Sequence, residues 1–136
     1  MDLLKSIAVA ASGLKGQAGR MRVIAENLAN ADSTPDRAGV APYRRKIVTF
    51  QNRLDRELDA KVVDLGRVGR DASPFRTKFD PGHPAADATG QVQMPNVNSL
   101  VESMDMREAQ RSYEANLNVI SSTRRMIQRT IDILRA

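Results

Sequence analysis

Residues that could carry out catalysis or bind a metal ion are few, and they fall in one short segment. His83 is the only histidine, and it lies between Asp80 and Asp87 in Asp80-Pro81-Gly82-His83-Pro84-Ala85-Ala86-Asp87. Proline, glycine and aspartate at this spacing favour a turn, whereas a multi-histidine metal site or a catalytic triad needs further partners. The segment therefore predicts a structural turn, with no catalytic residue, metal ligand or bound cofactor.

Other chemical signatures are also missing from the sequence. It contains no cysteine, which excludes disulfides and thiolate metal sites. It has no glycine-rich phosphate loop after a strand and no G-x-S-x-G or H-E-x-x-H motif. We therefore expect a protein that is not an enzyme.

The charge is basic but spread along the chain. The net charge is +5, and residues 1–34, 35–95 and 96–136 contribute +1, +3 and +1. A nucleic-acid-binding face usually concentrates lysine and arginine on one stripe, and only Arg44-Arg45-Lys46 and Arg124-Arg125 cluster here. We interpret these clusters as a solvated face or as salt-bridge partners, and a basic coiled-coil protein that binds nucleic acid is the alternative.

Membrane and targeting signals are weak. No apolar run approaches the roughly 18 residues of a membrane span, and only Ile7 to Ala10 follows Lys5 where a signal peptide would need an apolar stretch of about 7–15 residues. A helix over residues 1–21 lying on a membrane surface is a weaker alternative, because that segment has few bulky anchors. We expect no direct membrane insertion and, if the protein is exported, a route that leaves its N-terminus uncleaved.

The distribution of the prolines along the chain predicts the helices and strands that would position any functional surface. All six lie between Pro35 and Pro95, and both ends of the chain lack them. The predicted fold is mainly α, with long N- and C-terminal helices packed as an antiparallel coiled coil and an extended, β-hairpin arm between them. Residues 1–34 and 96–136 would form one coiled-coil domain, and residues 35–95 a β-rich insertion that makes contacts between subunits.

The first helix carries an unbroken heptad seam with alternating gaps of three and four residues. Gly13, Gly16 and Gly19 form a second strip of small residues, which would let neighbouring helices approach closely at a cost of roughly 1 kcal/mol each. An ordinary amphipathic helix with tolerated glycines is the alternative. We predict that the seam is an assembly interface; its residues are Leu4, Ile7, Ala11, Leu14, Ala18, Met21, Ala25 and Leu28.

The last helix is predicted to begin between residues 96 and 99 and to continue without glycine or proline. Ser99 and Glu102 match a capping box, and Asn96 and Asn98 are rival caps. The apolar face spans about 160° at 100° per residue, which is wide enough to contact the first helix and another subunit together. One face of a small bundle is the alternative; the interface residues predicted here are Tyr113, Asn116, Ile120, Ile127 and Leu134.

The middle of the chain is predicted to be extended. Tyr43–Phe50 is rich in β-branched and aromatic residues, residues 61–65, 75–79 and 90–94 also suit strands, and residues 52–60 suit either a short helix or a strand.

Several motifs give the chain a resemblance to the axial proteins of the bacterial flagellum, and among these to the proximal rod proteins. The motifs cover nearly the whole sequence in order; they are residues 26–34 (ENLANADST), 42–46 (PYRRK), 80–87 (DPGHPAAD), 95–98 (PNVN) and 104–116 (MDMREAQRSYEAN). They add Asn27, Asn30, Tyr43, Arg44, Pro95 and Asn96 to the predicted assembly interface. Two positions differ from the family pattern. Gln91 replaces the tyrosine that usually follows Gly90, and Ser103 replaces an acidic residue that often precedes Met104.

The resemblance implies a structural subunit of the hollow periplasmic rod that transmits torque for motility. It also implies export, without a cleaved signal peptide, through the flagellar type III apparatus. The implied partners are copies of the same chain, the rod proteins FlgB, FlgF and FlgG, and the base protein FliE. It implies that the terminal helices form an inner layer around the channel.

Overall fold

The computed structural model describes residues 2–135 and confirms the predicted fold class. Two long helices flank a middle of short strands. In chain order the elements are α1 (Leu3–Ala29), β1 (Lys46–Ile47), β2 (Phe50–Asp55), β3 (Ala60–Leu65), β4 (Gly69–Arg70), β5 (Arg76–Phe79), β6 (Gln91–Met94) and α2 (Ser99–Arg135). The helix predictions from Met1 and to Ala136 each extend one residue outside the described range.

Side chains set the helix ends. The Asp2 carboxylate accepts hydrogen bonds from the N–H groups of Leu4 and Lys5 at 3.0 and 3.4 Å, which caps α1. At the other end, the Asn30 side-chain amide donates to the Glu26 carbonyl at 2.8 Å. This contact satisfies a carbonyl that the helix leaves unpaired. The helix ends at Ala29, close to Asn30, where the turn-forming residues that run to Pro35 predict its end.

Among the rival caps of α2, Asn98 is the one used. Its side-chain oxygen accepts from the N–H groups of Leu100 and Val101 at 3.0 and 3.4 Å. Because Glu102 is buried and bonded to residues outside the helix, it does not close a capping box with Ser99.

The strands form three separate two-stranded antiparallel sheets, which pair β1 with β4, β2 with β3, and β5 with β6. The ambiguous segment 52–60 is strand followed by a four-residue turn, because Asn52 to Asp55 pair with Ala60 to Val63. The prediction of one strand over Tyr43–Phe50 was wrong, because only Lys46–Ile47 and Phe50 lie in strands and these strands belong to two different sheets. Residues 43–45 have no ladder pairing. Their side chains bond instead to groups far away in the sequence.

The described chain divides into two compact units. The hairpin unit contains residues 2–21, 49–67 and 107–135, and the polar unit contains residues 22–48 and 68–106. The separation predicted between a helical domain and an insertion of residues 35–95 stays a prediction.

Both units have cores of small side chains. Buried apolar residues of the hairpin unit include Ala10, Val62 and Ala109, and those of the polar unit include Val23, Ile24, Ala31, Ala85, Val92 and Val97. The described residues bury no apolar side chain larger than isoleucine, while many large apolar side chains stay exposed. The core is therefore thin, as the 41 % apolar and 4 % aromatic content of the sequence predicts.

Candidate assembly interface

A buried polar cluster joins α1 to α2 within the polar unit. Asn27 on α1 and Glu102 on α2 are each 1 % exposed, and the Asn27 amide donates to the Glu102 carboxylate at 3.1 Å. The Arg45 guanidinium, which precedes β1, donates to the same carboxylate at 2.6 Å. A buried charge is costly unless it is paired and hydrogen-bonded, and Glu102 meets both conditions.

Asn27 uses its whole hydrogen-bonding capacity. Its amide nitrogen donates to Glu102 and, at 2.9 Å, to the Lys46 carbonyl. Its oxygen accepts from the Tyr43 hydroxyl and from the Lys46 N–H, each at 2.9 Å. Aspartate could not supply the two donors, so the geometry explains why an asparagine suits this position of the flagellar motif.

Arg45 faces three carboxylates. Besides Glu102, it pairs with Asp71 at 3.4 Å and Asp105 at 3.7 Å. Partial burial works against its charge, but the hydrogen bond and charge of Glu102 outweigh this and raise the pKa of Arg45. Hydrogen bonds from the Ser73 backbone and side chain, followed by the contact with Arg45, lower the pKa of the Asp71 carboxyl.

Three further contacts complete the cluster. The Asn96 oxygen accepts from the Arg45 N–H at 2.8 Å, while its amide donates to the Ser73 hydroxyl at 2.9 Å. The Lys46 ammonium pairs with Glu26 at 2.7 Å, and this hydrogen bond raises the pKa of Lys46. Arg45 and Lys46 of the basic segment 44–46 therefore supply salt-bridge partners, as one of the two sequence interpretations predicted.

The structure brings together Asn27, Tyr43 and Asn96 among the residues predicted for the interface. Pro95 is buried, and its carbonyl accepts from the Arg76 side chain at 3.0 Å. Arg45, Glu102 and Asp71 were missed as functional residues. The sequence signal that could have pointed to this cluster is the basic triplet Arg44-Arg45-Lys46, because the acidic residues of the chain are scattered.

The predicted seam of α1 is only partly covered by its own chain. Ile7, Leu14, Met21 and Leu28 are half-buried, whereas Leu4, Ala11, Ala18 and Ala25 are exposed. The second set follows a seven-residue spacing, so it forms an exposed apolar stripe along one side of the helix. This stripe is available to another chain, and its role as an interface stays a prediction.

The predicted residues of α2 divide similarly. Tyr113, Asn116, Ile120 and Ile127 are half-buried, while Leu134 is 81 % exposed. Other large apolar residues of this helix are also exposed; in the hairpin unit they are Leu117, Val119, Met126, Ile131 and Ile133.

In the hairpin unit the two helices meet at small residues. A Cβ built on Gly13 would lie 2.8 Å from the Asn116 amide nitrogen, and Arg20 pairs with Glu108 at 3.6 Å. The higher-numbered residue of α1 meets the lower-numbered residue of α2, as an antiparallel pair requires. The predicted role of the glycines in close packing between helices is therefore confirmed at Gly13. It was wrong for Gly16 and Gly19, which lie against Phe50 and Leu65 of the β2–β3 strands.

The predicted turn at residues 80–87 is formed. His83 Nδ1 accepts from the Ala85 N–H at 3.0 Å, and the Asp87 carboxylate accepts from the N–H groups of Thr89 and Gln91 at 2.8 and 3.0 Å. In residues 2–135, no group of three or more histidine, aspartate or glutamate side chains is arranged to hold a metal ion. Neither described helix carries an apolar stretch long enough to span a bilayer.

Two protein-family models match parts of the chain. Residues 7–35 match the model described as flagella basal body rod protein. Residues 88–133 match the C-terminal model of the flagellar basal body rod FlgEFG proteins. The chain is thus a structural rod protein of the flagellar basal body.

Full-length relatives define the class further. The flagellar basal-body rod protein FlgC of Agrobacterium fabrum is 50 % identical over 100 % of this chain and 99 % of its own length. The FlgC proteins of Yersinia enterocolitica and Bacillus subtilis are 38 % and 34 % identical, each over 98 % of this chain and 98 % and 99 % of their own lengths. The chain belongs to the FlgC family of flagellar basal-body rod proteins. Nothing in these matches supports the nucleic-acid alternative.

Proposed function

We propose that this protein is a subunit of the proximal part of the rod, a hollow tube that crosses the periplasm and transmits motor torque. Its work would be mechanical: packed helices resist twist, and repeated contacts between subunits extend the tube. In this proposal the helices line the tube wall, and residues 35–95 contact neighbouring subunits.

The observation that carries the proposal is the apolar surface that both helices leave uncovered. Leu4 is 69 % exposed on α1, and Ile133 and Leu134 are 75 % and 81 % exposed on α2. Exposed apolar side chains along one protein face mark interaction sites, because their burial is favourable by roughly 25 cal/mol per Å². Neighbouring subunits would cover these surfaces.

The proposed partners are copies of this chain, the rod proteins FlgB, FlgF and FlgG, and the base protein FliE. Delivery would use the flagellar type III export apparatus, with the chain unfolded and its N-terminus retained. The thin core and small buried side chains suit a chain that completes its burial only after delivery.

A substitution at the exposed stripe of α1 tests the proposal. Ala18→Arg places a long charged side chain at an exposed position, so it should leave the fold intact and prevent subunit packing. We expect loss of swimming and absence of rods beyond this subunit when the variant replaces the normal copy in a motile host.

Ala18→Ser is the matched control, because it keeps a small side chain and should support normal motility. Detection of the unaltered chain in purified basal bodies checks the location independently. Normal motility of Ala18→Arg would reject the packing model, and absence of the chain from basal bodies would reject the proposed function.

A further inference from the structure

A basic groove lies in the polar unit beside β1 and β4. It has a volume of about 280 Å³, and its lining residues are Ala41, Pro42, Tyr43, Arg44, Lys46, Arg70 and Phe75. Three lining side chains are cationic and none is acidic. Such a groove attracts a carboxylate-bearing group.

Arg44 is held in place by neutral groups. Its guanidinium donates to the carbonyls of Asp71 and Ser73 at 2.8 and 3.1 Å, and it lies 4.2 Å from the centre of the Phe75 ring. Because carbonyls and an aromatic ring carry no net charge, they orient the guanidinium without neutralising it.

The other two cations differ in pairing. Lys46 is paired with Glu26 at 2.7 Å. Within residues 2–135, neither Arg44 nor the exposed Arg70 lies in an ion pair with a carboxylate. The groove thus has two arginine charges available to an outside partner, and one of them is preorganised.

An acidic tip of matching chemistry lies in the hairpin unit, at the turn between β2 and β3. Asp55, Glu57 and Asp59 bring three carboxylates into five residues, with Arg56 as the one cation. The Asp55 side chain accepts from the N–H groups of Glu57 and Leu58 at 3.1 and 3.3 Å, which fixes the turn. Glu57 is exposed, and the Asp59 side chain is 92 % exposed, with the Lys5 ammonium 3.9 Å from its carboxylate. A contact this long and this exposed to solvent is weak, so it leaves the Asp59 carboxylate accessible to a second copy.

We infer that the acidic tip of one copy docks in the basic groove of a second copy of this chain. Each copy carries one tip and one groove, so the contact is head-to-tail and can repeat along an assembly. Carboxylates of Glu57 and Asp59 would meet Arg44 and Arg70. The inference rests on the proposed function, since it names one contact by which subunits of the rod recognise each other.

Thiol cross-linking in isolated basal bodies tests the contact, because the chain has no cysteine of its own. Arg56→Cys and Val68→Cys, combined in one chain, place thiols beside the tip and the groove and leave all of the proposed charge partners intact. A short bis-maleimide is the reagent, because a direct disulfide requires Cα atoms within about 7 Å. The expected product is a ladder of covalent multimers of the chain.

Controls make the ladder specific. Either cysteine alone cannot form a ladder, and moving the groove thiol to exposed Lys78 (Lys78→Cys) with Arg56→Cys retained should give far less of it. No ladder above this control, cross-linking only within one chain, or an adduct only with a different basal-body protein would each overturn the inference. If the chain is present in basal bodies, such a result contradicts the docking inference but not the proposed function. Absence of the chain from basal bodies would contradict both.

Charge reversal provides a second measurement. Arg70 and Glu57 are exposed, so substitutions there should leave the fold intact. Arg70→Glu and Glu57→Arg should each lower the assembled fraction about two- to fivefold, as expected for one exposed ion pair. The two reversals together should restore it. Additive losses in the double variant would contradict a contact between these residues.

Discussion

The polar unit and the hairpin unit each contain a contact between α1 and α2, but the chemistry of the two contacts differs. In the polar unit, Asn27 and Glu102 meet through a hydrogen bond whose partners are fully buried. In the hairpin unit, Gly13 allows close approach to Asn116 without any such bond. The first contact specifies which residues pair, whereas the second mainly permits a short distance.

The two units also differ in how completely the chain itself pairs their buried polar groups. Within the described residues, Gln17 in the hairpin unit holds the one buried side-chain polar atom without a hydrogen-bond partner. The same unit exposes the apolar residues Met126, Ile133 and Leu134. Large apolar residues of the polar unit, such as Phe79 and Leu100, are exposed as well. Among the described residues, the units therefore differ in their buried polar groups: internal hydrogen bonds satisfy those of the polar unit, while the hairpin unit keeps one without a partner.

Removing the buried carboxylate should have the largest effect. Glu102→Ala leaves Arg45 and the Asn27 amide without their shared partner, and we expect a loss of about 2–3 kcal/mol in the free energy of unfolding. Asp71 and Asp105 keep part of the interaction with Arg45, which holds the loss below that of a fully isolated pair. Urea unfolding followed by circular dichroism measures it.

Glu108→Ala is the matched control in the hairpin unit, because Glu108 lies on the same helix and forms an exposed pair with Arg20. It should cost only about 0–1 kcal/mol. Equal losses for the two variants would contradict the distinction between the units.

Overpacking the glycine contact should have an intermediate effect. Gly13→Val adds a branched side chain where a Cβ alone would lie 2.8 Å from Asn116, and we expect a destabilisation of about 1–3 kcal/mol. Ala11→Val makes the corresponding change at an exposed position of α1 and should be much milder. Calorimetry on both variants compares them; a stable Gly13→Val protein would show that Asn116 can move aside.

Lowering the pH should have the smallest effect, and this effect should fall on the polar unit. The pKa of Asp71 is lowered by hydrogen bonds from Ser73, and that of Asp87 by hydrogen bonds from Thr89 and Gln91. A lowered folded-state pKa contributes stability that is complete above the ordinary value near 3.8 and is lost as the pH falls through the folded value. Both residues belong to the polar unit.

Hydrogen exchange measured at decreasing pH should therefore show the polar unit losing protection in that acidic range. Asp87→Asn keeps a side-chain acceptor but removes the ionisable group, so it should make the decline shallower. An unchanged acid dependence in that variant would exclude Asp87 as a source of it.

The sequence predicted the helices well because their signals are local. Glycine and proline are absent from residues 96–136, and the turn-forming residues from Asn30 to Pro35 end α1 as expected. The strand pieces at 61–65, 75–79 and 90–94 were also placed well, since β-branched residues and glycines mark them.

The polar cluster could not be predicted because its bonds span the chain. Arg45 and Glu102 are 57 residues apart, and no local pattern pairs them. Glu102 also matched a capping box in the sequence. Its carboxylate binds Asn27 and Arg45 instead, so it does not cap the helix. Likewise, a heptad pattern identified apolar positions of α1 but not which of them its own chain would cover, and the structure leaves Ala11 and Ala18 exposed.

The separation of bonded residues along the chain also has a consequence for the order of folding. The β2–β3 hairpin closes over a four-residue turn, whereas Asn27 and Glu102 are 75 residues apart. Loop closure between the more distant pair costs roughly 2–3 kcal/mol more, and hairpins of this kind form within about 1–10 μs. A chain that emerges N-terminus first can form the hairpin once residue 65 is free. It cannot close the polar cluster until residue 102 has followed, so the bond that fixes which parts of the two helices pair forms after the hairpin.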